Sequence, residues 1–364
     1  MAALKYELIM DYIKNEIVNG NLKKGDKIYS ESKLMQKFNV SRQTVRQAMG
    51  HLLDEGYIIT QHGRGSFVQW EEQTPVNVSG SDRNIIVMVS YLNNHILPEI
   101  IQQIETKCAQ KDYNMILRCT HNKVMQEYEC LCKVLKDGAC GVIAEPAKTA
   151  LPSPNLALYQ AIRKKGVPVI FIHSYFDALK DDYVIVDDME SGYHACEKLI
   201  AAGHTQIGGV FKSDDIQGHK RYQGMLQALC DHHIKVDEKY ILWLSTEDQL
   251  VVFKDKNLQD AYFERLKNVT ATVCYNDDTA IAVADSLFRM GISVPDAHSI
   301  VSFDNTQYGD AYRVPISSMG HPCGKIGKLA FEGLEVKWNN PEYQYQKVLQ
   351  VDYHEKQSIK PINR

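Results

Sequence analysis

From residue 84 onward the sequence alternates short apolar runs with amphipathic stretches, and that alternation leaves few folds open. The runs Ile85–Val89, Met115–Cys119, Gly141–Ala144, Val169–Ile172, Tyr183–Val186, Ile207–Phe211, Ile241–Leu244, Ala271–Tyr275 and Ile300–Phe303 read as strands. Between them Glu99–Lys111, Met125–Lys136, Ser191–Ala202, Gly218–His232 and Thr279–Met290 carry helical periodicity. Such alternation gives parallel sheets with helices on both faces. The strands outnumber what one sheet usually holds, so the expected architecture is α/β with two lobes spanning residues 84–364.

Ligands bind sheets of this kind beyond the carboxyl ends of the strands, and two lobes bring those ends to one cleft. The candidates are therefore the residues just past each run. They are Tyr91, Asn93 and Asn94 after the first, Glu145 and Lys148 after the third, and His173 after the fourth. Asp187 and Asp188, then Lys212 and Asp214, then Asn276 and Asp277, then Asp304 and Asn305 follow later strands. Each sugar hydroxyl both donates and accepts, so carboxylates paired with Asn, Lys or Arg donors suit a small polyhydroxyl ligand. Tyr91 offers a ring face for its apolar side. Any single Asp or Asn here also serves as a helix N-cap, the role expected of Asp277 ahead of Thr279–Met290. No Gly-x-Ser-x-Gly elbow, His-Glu-x-x-His pair or phosphate-binding Gly-Lys-Ser/Thr loop occurs, so no catalytic residue, metal or cofactor is expected.

The first 70 residues read differently. Ile9, Ile13 and Ile17 give a first helix one apolar stripe, and Ser30-Glu31-Ser32 caps a short second one that ends at Asn39. Ser41 caps a third helix in which Val45, Ala48, Met49 and Leu52 share a face. Arg42, Gln43, Thr44, Arg46 and Gln47 fall on its other faces, and Arg and Gln match the hydrogen-bonding edges of guanine and adenine. Tyr57–Thr60 and Ser66–Val68 then flank the tip His62-Gly63-Arg64-Gly65, a hairpin able to put Arg64 into a minor groove. Residues 71–83, with no helical stripe, read as a linker.

Net charge supports the division. The whole chain is at −4, yet residues 1–70 hold ten Lys and Arg against seven Asp and Glu, and the remainder holds 31 against 38. A mildly basic reader on an acidic body fits a double-stranded DNA partner. Nine cysteines without a C-x-x-C pair read as reduced, mostly buried thiols. No apolar run approaches the roughly 20 residues of a bilayer span, and the N-terminus lacks a secretory pattern, so a cytoplasmic protein is expected.

Tyr6, the stretch Val40–Ala48, Leu52, Glu55-Gly56 and the wing ending Gly65-Ser66-Phe67-Val68 resemble the winged helix of GntR-family regulators. That resemblance implies major-groove reading by Arg42, Thr44, Arg46 and Gln47, with Arg64 and His62 on the wing. From residue 84, Gly203-His204, Arg221-Tyr222-Gln223-Gly224, Cys274–Asp278, Val294-Pro295 and Ser299–Asn305 resemble the effector domain of LacI/GalR repressors, a periplasmic-binding-protein-like fold. It implies that Arg221, Asn276 and Asp304 bind the effector, and Gln217, one turn before Arg221, faces the same cleft. Ser302 and Asn305 depart from the Gly and Asp usual there, which loosens any transfer of ligand preference. The two halves together, with Glu145–Leu151 and Phe211–Gly218, resemble arabinose-repressor-type regulators of Gram-positive bacteria. The resemblance implies a homodimeric repressor released from operator DNA by L-arabinose. The residue chemistry alone reaches a polyhydroxyl ligand and leaves another pentose, a hexose, a nucleoside or a sugar-processing enzyme open.

Overall fold

The computed structural model describes residues 5–18, 21–54, 57–61, 64–69, 83–92, 96–180 and 182–362. The chain forms two compact units that are not contiguous in sequence: Met1–Asp82 with Glu332–Tyr345, and Arg83–Phe331 with Gln346–Arg364. The division thus departs from an expected cut at residues 70 and 84 by placing Glu332–Tyr345 with the first unit. Residues 71–82 of the expected linker, with His62, Gly63 and Asn93, lie outside the described residues.

The first unit carries α1 (Lys5–Val18), α2 (Glu31–Phe38), α3 (Arg42–Asp54), β1 (Ile58–Gln61) and β2 (Gly65–Val68). Ile9, Ile13, Leu34, Val45, Ala48 and Leu52 are fully buried in one cluster, so the helical stripes read from sequence meet. Ser30 Oγ accepts the Lys33 N–H at 3.3 Å, and Asn39, at φ +50°, ends α2 in the left-handed region. Ser41 Oγ accepts the Thr44 N–H at 3.2 Å and opens α3. β1 and β2 pair antiparallel from Ile58↔Val68 to Gln61↔Gly65, and Lys27 adds a bridge to Phe67.

The second unit contains two six-stranded sheets. The first lobe runs through β3 (Asn84–Val89), α4 (Leu97–Gln110), β4 (Asn114–Cys119), α5 (Val124–Asp137), β5 (Gly141–Ala144), α6 (Leu156–Lys164), β6 (Val169–Ile172) and β7 (Tyr183–Val186). The second lobe follows with α7 (Asp188–Ala201), β8 (Ile207–Lys212), α8 (Ile216–Asp231), β9 (Ile241–Leu244), α9 (Thr246–Val252) and α10 (Lys256–Phe263). It continues with β10 (Ala271–Cys274), α11 (Asp277–Arg289), β11 (Ser299–Asp304), α12 (Gln307–Ala311) and β12 (Ser317–Gly320). After α13 (Cys323–Asn339) come β13 (Gln346–Leu349) and β14 (Tyr353–His354).

Strand orders are β13-β7-β6-β5-β3-β4 in the first lobe and β14-β12-β11-β10-β8-β9 in the second. Every pairing is parallel except β12 with β14. All nine strands expected from the apolar runs form. β12, β13 and β14 were not expected. Gln346–Leu349 is half-exposed along its length, and Ser317–Gly320 offers Ser, Ser, Met and Gly, so neither makes an apolar run.

Two close approaches set the cleft. A Cβ on Gly218 would collide with the carbonyl of Lys212, and one on Gly192 with the backbone of Arg221. Glycine at these positions seats α8 directly on the end of β8 and α7 on α8, which fixes where Lys212 and Arg221 emerge. All nine cysteines are free; Cys108, Cys196 and Cys274 are buried, Cys230 is exposed and the rest are partly buried, so they are less buried than expected. Among the described residues no helix is long and apolar enough to cross a membrane.

Candidate functional site

The polar face of α3 presents Ser41, Arg42, Gln43, Arg46 and Gln47 to solvent, with Thr44 partly covered. Glu31, at the first turn of α2, accepts from Arg42 Nε at 2.6 Å and Arg46 Nε at 3.0 Å. The hydrogen bonds from Arg42 and then Arg46 hold its carboxyl below the usual range. One carboxylate therefore holds two guanidiniums at the start of α3 and leaves both side chains largely exposed. Glu31 was not among the sequence candidates; its place one helix upstream hid it. Arg64 is exposed on the wing. Tyr6 stands elsewhere, stacked on His51 in the last turn of α3 with ring centroids 5.3 Å apart.

In the second unit a cavity of about 360 Å³ lies at the carboxyl ends of the strands, a fitting volume for a small ligand. Eight of the sequence candidates line it: Tyr91, Glu145 and His173 from the first lobe, and Lys212, Gln217, Arg221, Asn276 and Asp304 from the second. Arg221 is the most constrained. Its Nε donates to Asp188 Oδ1 at 2.8 Å, its Nη1 to the Tyr275 carbonyl at 2.5 Å, and its Nη2 stands 3.8 Å from Asp304. Gln217 Nε2 donates to the other oxygen of Asp188 at 3.3 Å.

Asp188 is thus a correction. It is buried and does not line the cavity; it is the anchor behind Arg221 and Gln217. Burial raises its pKa although Arg221 opposes that. Asp214 is a second correction: it takes the Thr246 N–H at 2.9 Å and is not a cavity residue, and its neighbour Asp215 lines the cavity instead. Adjacent residues at a strand end point apart, so only one of the pair faces inward.

Lys212 is buried, and its Nζ lies 2.8 Å from Asp215 and 5.9 Å from the centre of the Tyr91 ring. Burial alone would lower its pKa; Asp215, then Tyr275 and Asp214, reverse that and keep it charged. Asn276, expected to contact the ligand, is also the N-cap of α11, its oxygen accepting from Thr279 N–H at 3.0 Å. Only its amide nitrogen remains for a ligand. Asp277, expected to be that cap, is buried instead, accepting from Ser302, Ser318 and Thr306.

In the first lobe, Glu145 accepts from Ser90 N–H at 2.6 Å and its Oε1 lies 3.1 Å from His173 Nδ1. Burial pushes its carboxyl up, but the His173 contact and Ser90 outweigh it and leave it low. His321 was invisible to sequence reading because β12, the strand it follows, was. It meets His173 edge-on at 5.1 Å, and burial, then His173 and Arg221, drives it well below the usual histidine range. His173 Nε2 and His321 Nδ1 are buried with no protein partner. Buried polar atoms are normally bonded, so two orphans on one cavity wall fit hydroxyl groups of a ligand.

Backbone strain gathers here too. Among the described residues nine non-glycine residues have positive φ, and six of them, His121, Asn122, Lys148, His173, Asp304 and Asn305, stand at these strand-end loops. Asp304, at φ +93°, is pushed up to about 7 by burial despite Arg221. The unfolded chain ionises such a group near about 3.9. Between about pH 4 and 7 the folded protein therefore keeps a proton the unfolded chain has lost. The stability this provides falls as pH rises across that window, by at most about 1.4 kcal/mol per pH unit. Thermal melts of ligand-free Asp304→Asn are expected to show a flatter pH slope; an unchanged slope would place the titration elsewhere, with Asp188 the next candidate.

Residues 5–68 match the family described as bacterial regulatory proteins, gntR family, and residues 196–359 match the periplasmic binding protein-like domain. The arabinose metabolism transcriptional repressor of Halalkalibacterium halodurans is 32% identical, over 89% of this chain and 86% of its own. That of Geobacillus stearothermophilus is also 32% identical, over 91% and 90%. The crystal structure of a LacI family transcriptional regulator from Enterococcus faecium with bound ribose is 22% identical and shares the fold, with a TM-score of 0.64 over 77% of this chain and 100% of its own. The chain therefore belongs to the family of arabinose metabolism transcriptional repressors, sugar-responsive regulators rather than enzymes, in which a GntR-type DNA-binding domain is joined to a periplasmic-binding-protein-like domain.

Proposed function

We propose that this protein is a cytoplasmic repressor that sits on operator DNA as a homodimer and is released when L-arabinose fills the cleft, with no cofactor. The observation that carries this reading is the charge balance of the cavity. Its two buried cations are already matched, Lys212 by Asp215 and Arg221 by Asp188, each at 2.8 Å, and Glu145 and Asp278 add further carboxylates. Neither buried cation is left over for a phosphate or a sugar acid, and the third lining cation, Lys254, is exposed at the rim, while donors and acceptors abound for hydroxyls. The relatives named for arabinose metabolism support L-arabinose as the particular sugar.

A sugar in this cavity touches Glu145 and His173 on one lobe and Arg221, Asn276 and Asp304 on the other. It binds best to the closed arrangement and shifts the population towards it. A two-fold dimer carries that change to two winged helices reading two half-sites. The coupling expected between sugar and operator is about 1–3 kcal/mol. Calorimetry on the full chain with L-arabinose, D-ribose, D-xylose and arabinose 5-phosphate tests the reading, alongside operator binding by fluorescence anisotropy. L-Arabinose is expected to bind and to release operator DNA, and the phosphate to do neither. Tight binding of the phosphorylated sugar, or no effect of L-arabinose on operator affinity, would overturn it.

A further inference from the structure

Beside the cavity, one edge of the cleft is already bridged by protein alone. Asn122, in the loop between β4 and α5, is 1% exposed and sits at φ +52°. Both ends of its amide are used. Nδ2 donates to Thr246 Oγ1 at 2.7 Å and to Asp215 Oδ1 at 3.3 Å, across the cleft on the second lobe. Oδ1 accepts the Lys148 N–H at 2.8 Å within the first lobe. Asp215 and Thr246 both line the cavity, and Asp215 is the ion-pair partner of Lys212.

The next residues extend the bridge. Lys148 Nζ reaches Glu247 at 2.8 Å and Asp214 at 3.6 Å, and the Ile216 N–H donates to Thr149 Oγ1 at 3.1 Å. The turn bearing Lys148 is itself held from below. Glu127, fully buried, accepts from Ala147 N–H at 2.9 Å, Asn155 Nδ2 at 2.7 Å and the Tyr159 hydroxyl at 2.7 Å. That same turn starts with Glu145. The effector wall and the bridge are therefore parts of one rigid loop.

We propose that Asn122 is a positioning residue for effector binding: it clasps Asp215 and Thr246 of the second lobe to the Lys148 turn of the first, and so forms one wall of the closed cleft from protein before any ligand arrives. The proposal rests on reading this cleft as the effector site. A buried asparagine satisfied at both ends resists separation of its partners, because opening the lobes leaves its Nδ2 donor without protein partners while Oδ1 stays bonded to Lys148. Since Asp215 carries the charge that holds Lys212, losing the clasp also loosens that cation.

The test uses the full chain, with L-arabinose as probe. Asn122→Ala is expected to raise the dissociation constant for L-arabinose at least tenfold and to give a more open unliganded protein by small-angle scattering. Asn122→Asp keeps the acceptor for Lys148 N–H, tolerates the left-handed backbone and sets a carboxylate against Asp215, so it is expected to act in the same direction. It also serves if the alanine variant fails to fold. A dissociation constant within twofold of the parent, in a variant whose scattering is unchanged, overturns the clasp. If the parent itself does not bind L-arabinose, the effector assignment fails instead, and scattering alone decides the clasp: an unopened Asn122→Ala protein refutes it.

Discussion

An Arg221→Ala protein is expected to hold operator DNA at near-parental affinity and to ignore L-arabinose. The side chain sits where α8 rises from the cleft, and its three nitrogens address Asp188, the Tyr275 carbonyl and the edge of Asp304. A charged hydrogen bond to a ligand is worth about 1.5–3 kcal/mol, so its loss alone weakens sugar binding about 10- to 150-fold. Truncation has a second consequence. It leaves Asp188 buried without its partner, a defect of about 3–5 kcal/mol in stability. The pair Arg221→Ala with Asp188→Asn removes the stranded charge and separates the two effects. Lysine is not a substitute, since a single ammonium cannot serve three directions held by a planar fork. Anisotropy titrations of operator DNA, with and without sugar, read the outcome. Release of either variant by L-arabinose at parental concentrations would remove Arg221 from the effector site.

The largest loss of DNA affinity is expected at Arg46. A guanidinium forked onto a guanine contributes about 1–3 kcal/mol, and a two-fold operator counts it twice, so Arg46→Ala is expected to cost about 2–6 kcal/mol per dimer. Glu31 is why this arginine is a better candidate than exposure alone implies. By fixing Arg46 Nε at 3.0 Å and Arg42 Nε at 2.6 Å, it removes much of the side-chain freedom that DNA would otherwise have to freeze. The distinguishing measurement compares the operator with variants altered at the contacted base pair. If Arg46→Ala weakens every sequence equally and lowers the salt slope by about 1, the residue holds a phosphate and does not read a base.

Much of this was legible in the sequence because buried parallel strands read as unbroken apolar runs, and all nine such runs became strands. What escaped was what the hydrophobic pattern does not encode. β13 lies half-exposed at a sheet edge and β14 is two residues long, so neither left an apolar signature. With β12 unseen, His321 at its end went unseen as well. Strand-end position identified most of the cavity lining, but it could not say which of Asp214 and Asp215 turns inward, or that Asp188 works from behind Arg221. Those are matters of side-chain direction and partner choice, decided by residues far away in sequence. The cap of α11 shows the same limit: Asn276 and Asp277 are both good N-caps, and it is Ser302, Thr306 and Ser318 that draw Asp277 into the core.

The edge strands carry a consequence for how the regulator comes into being. The chain finishes most of the first sheet by residue 186 and most of the second by residue 320, then returns to add β13 to one and β14 to the other. Neither lobe can complete its sheet during synthesis until the segment carrying β13 and β14 has been made. A product that stops before residue 346 thus lacks an edge strand in each of the two sheets whose strand ends form the sugar cleft.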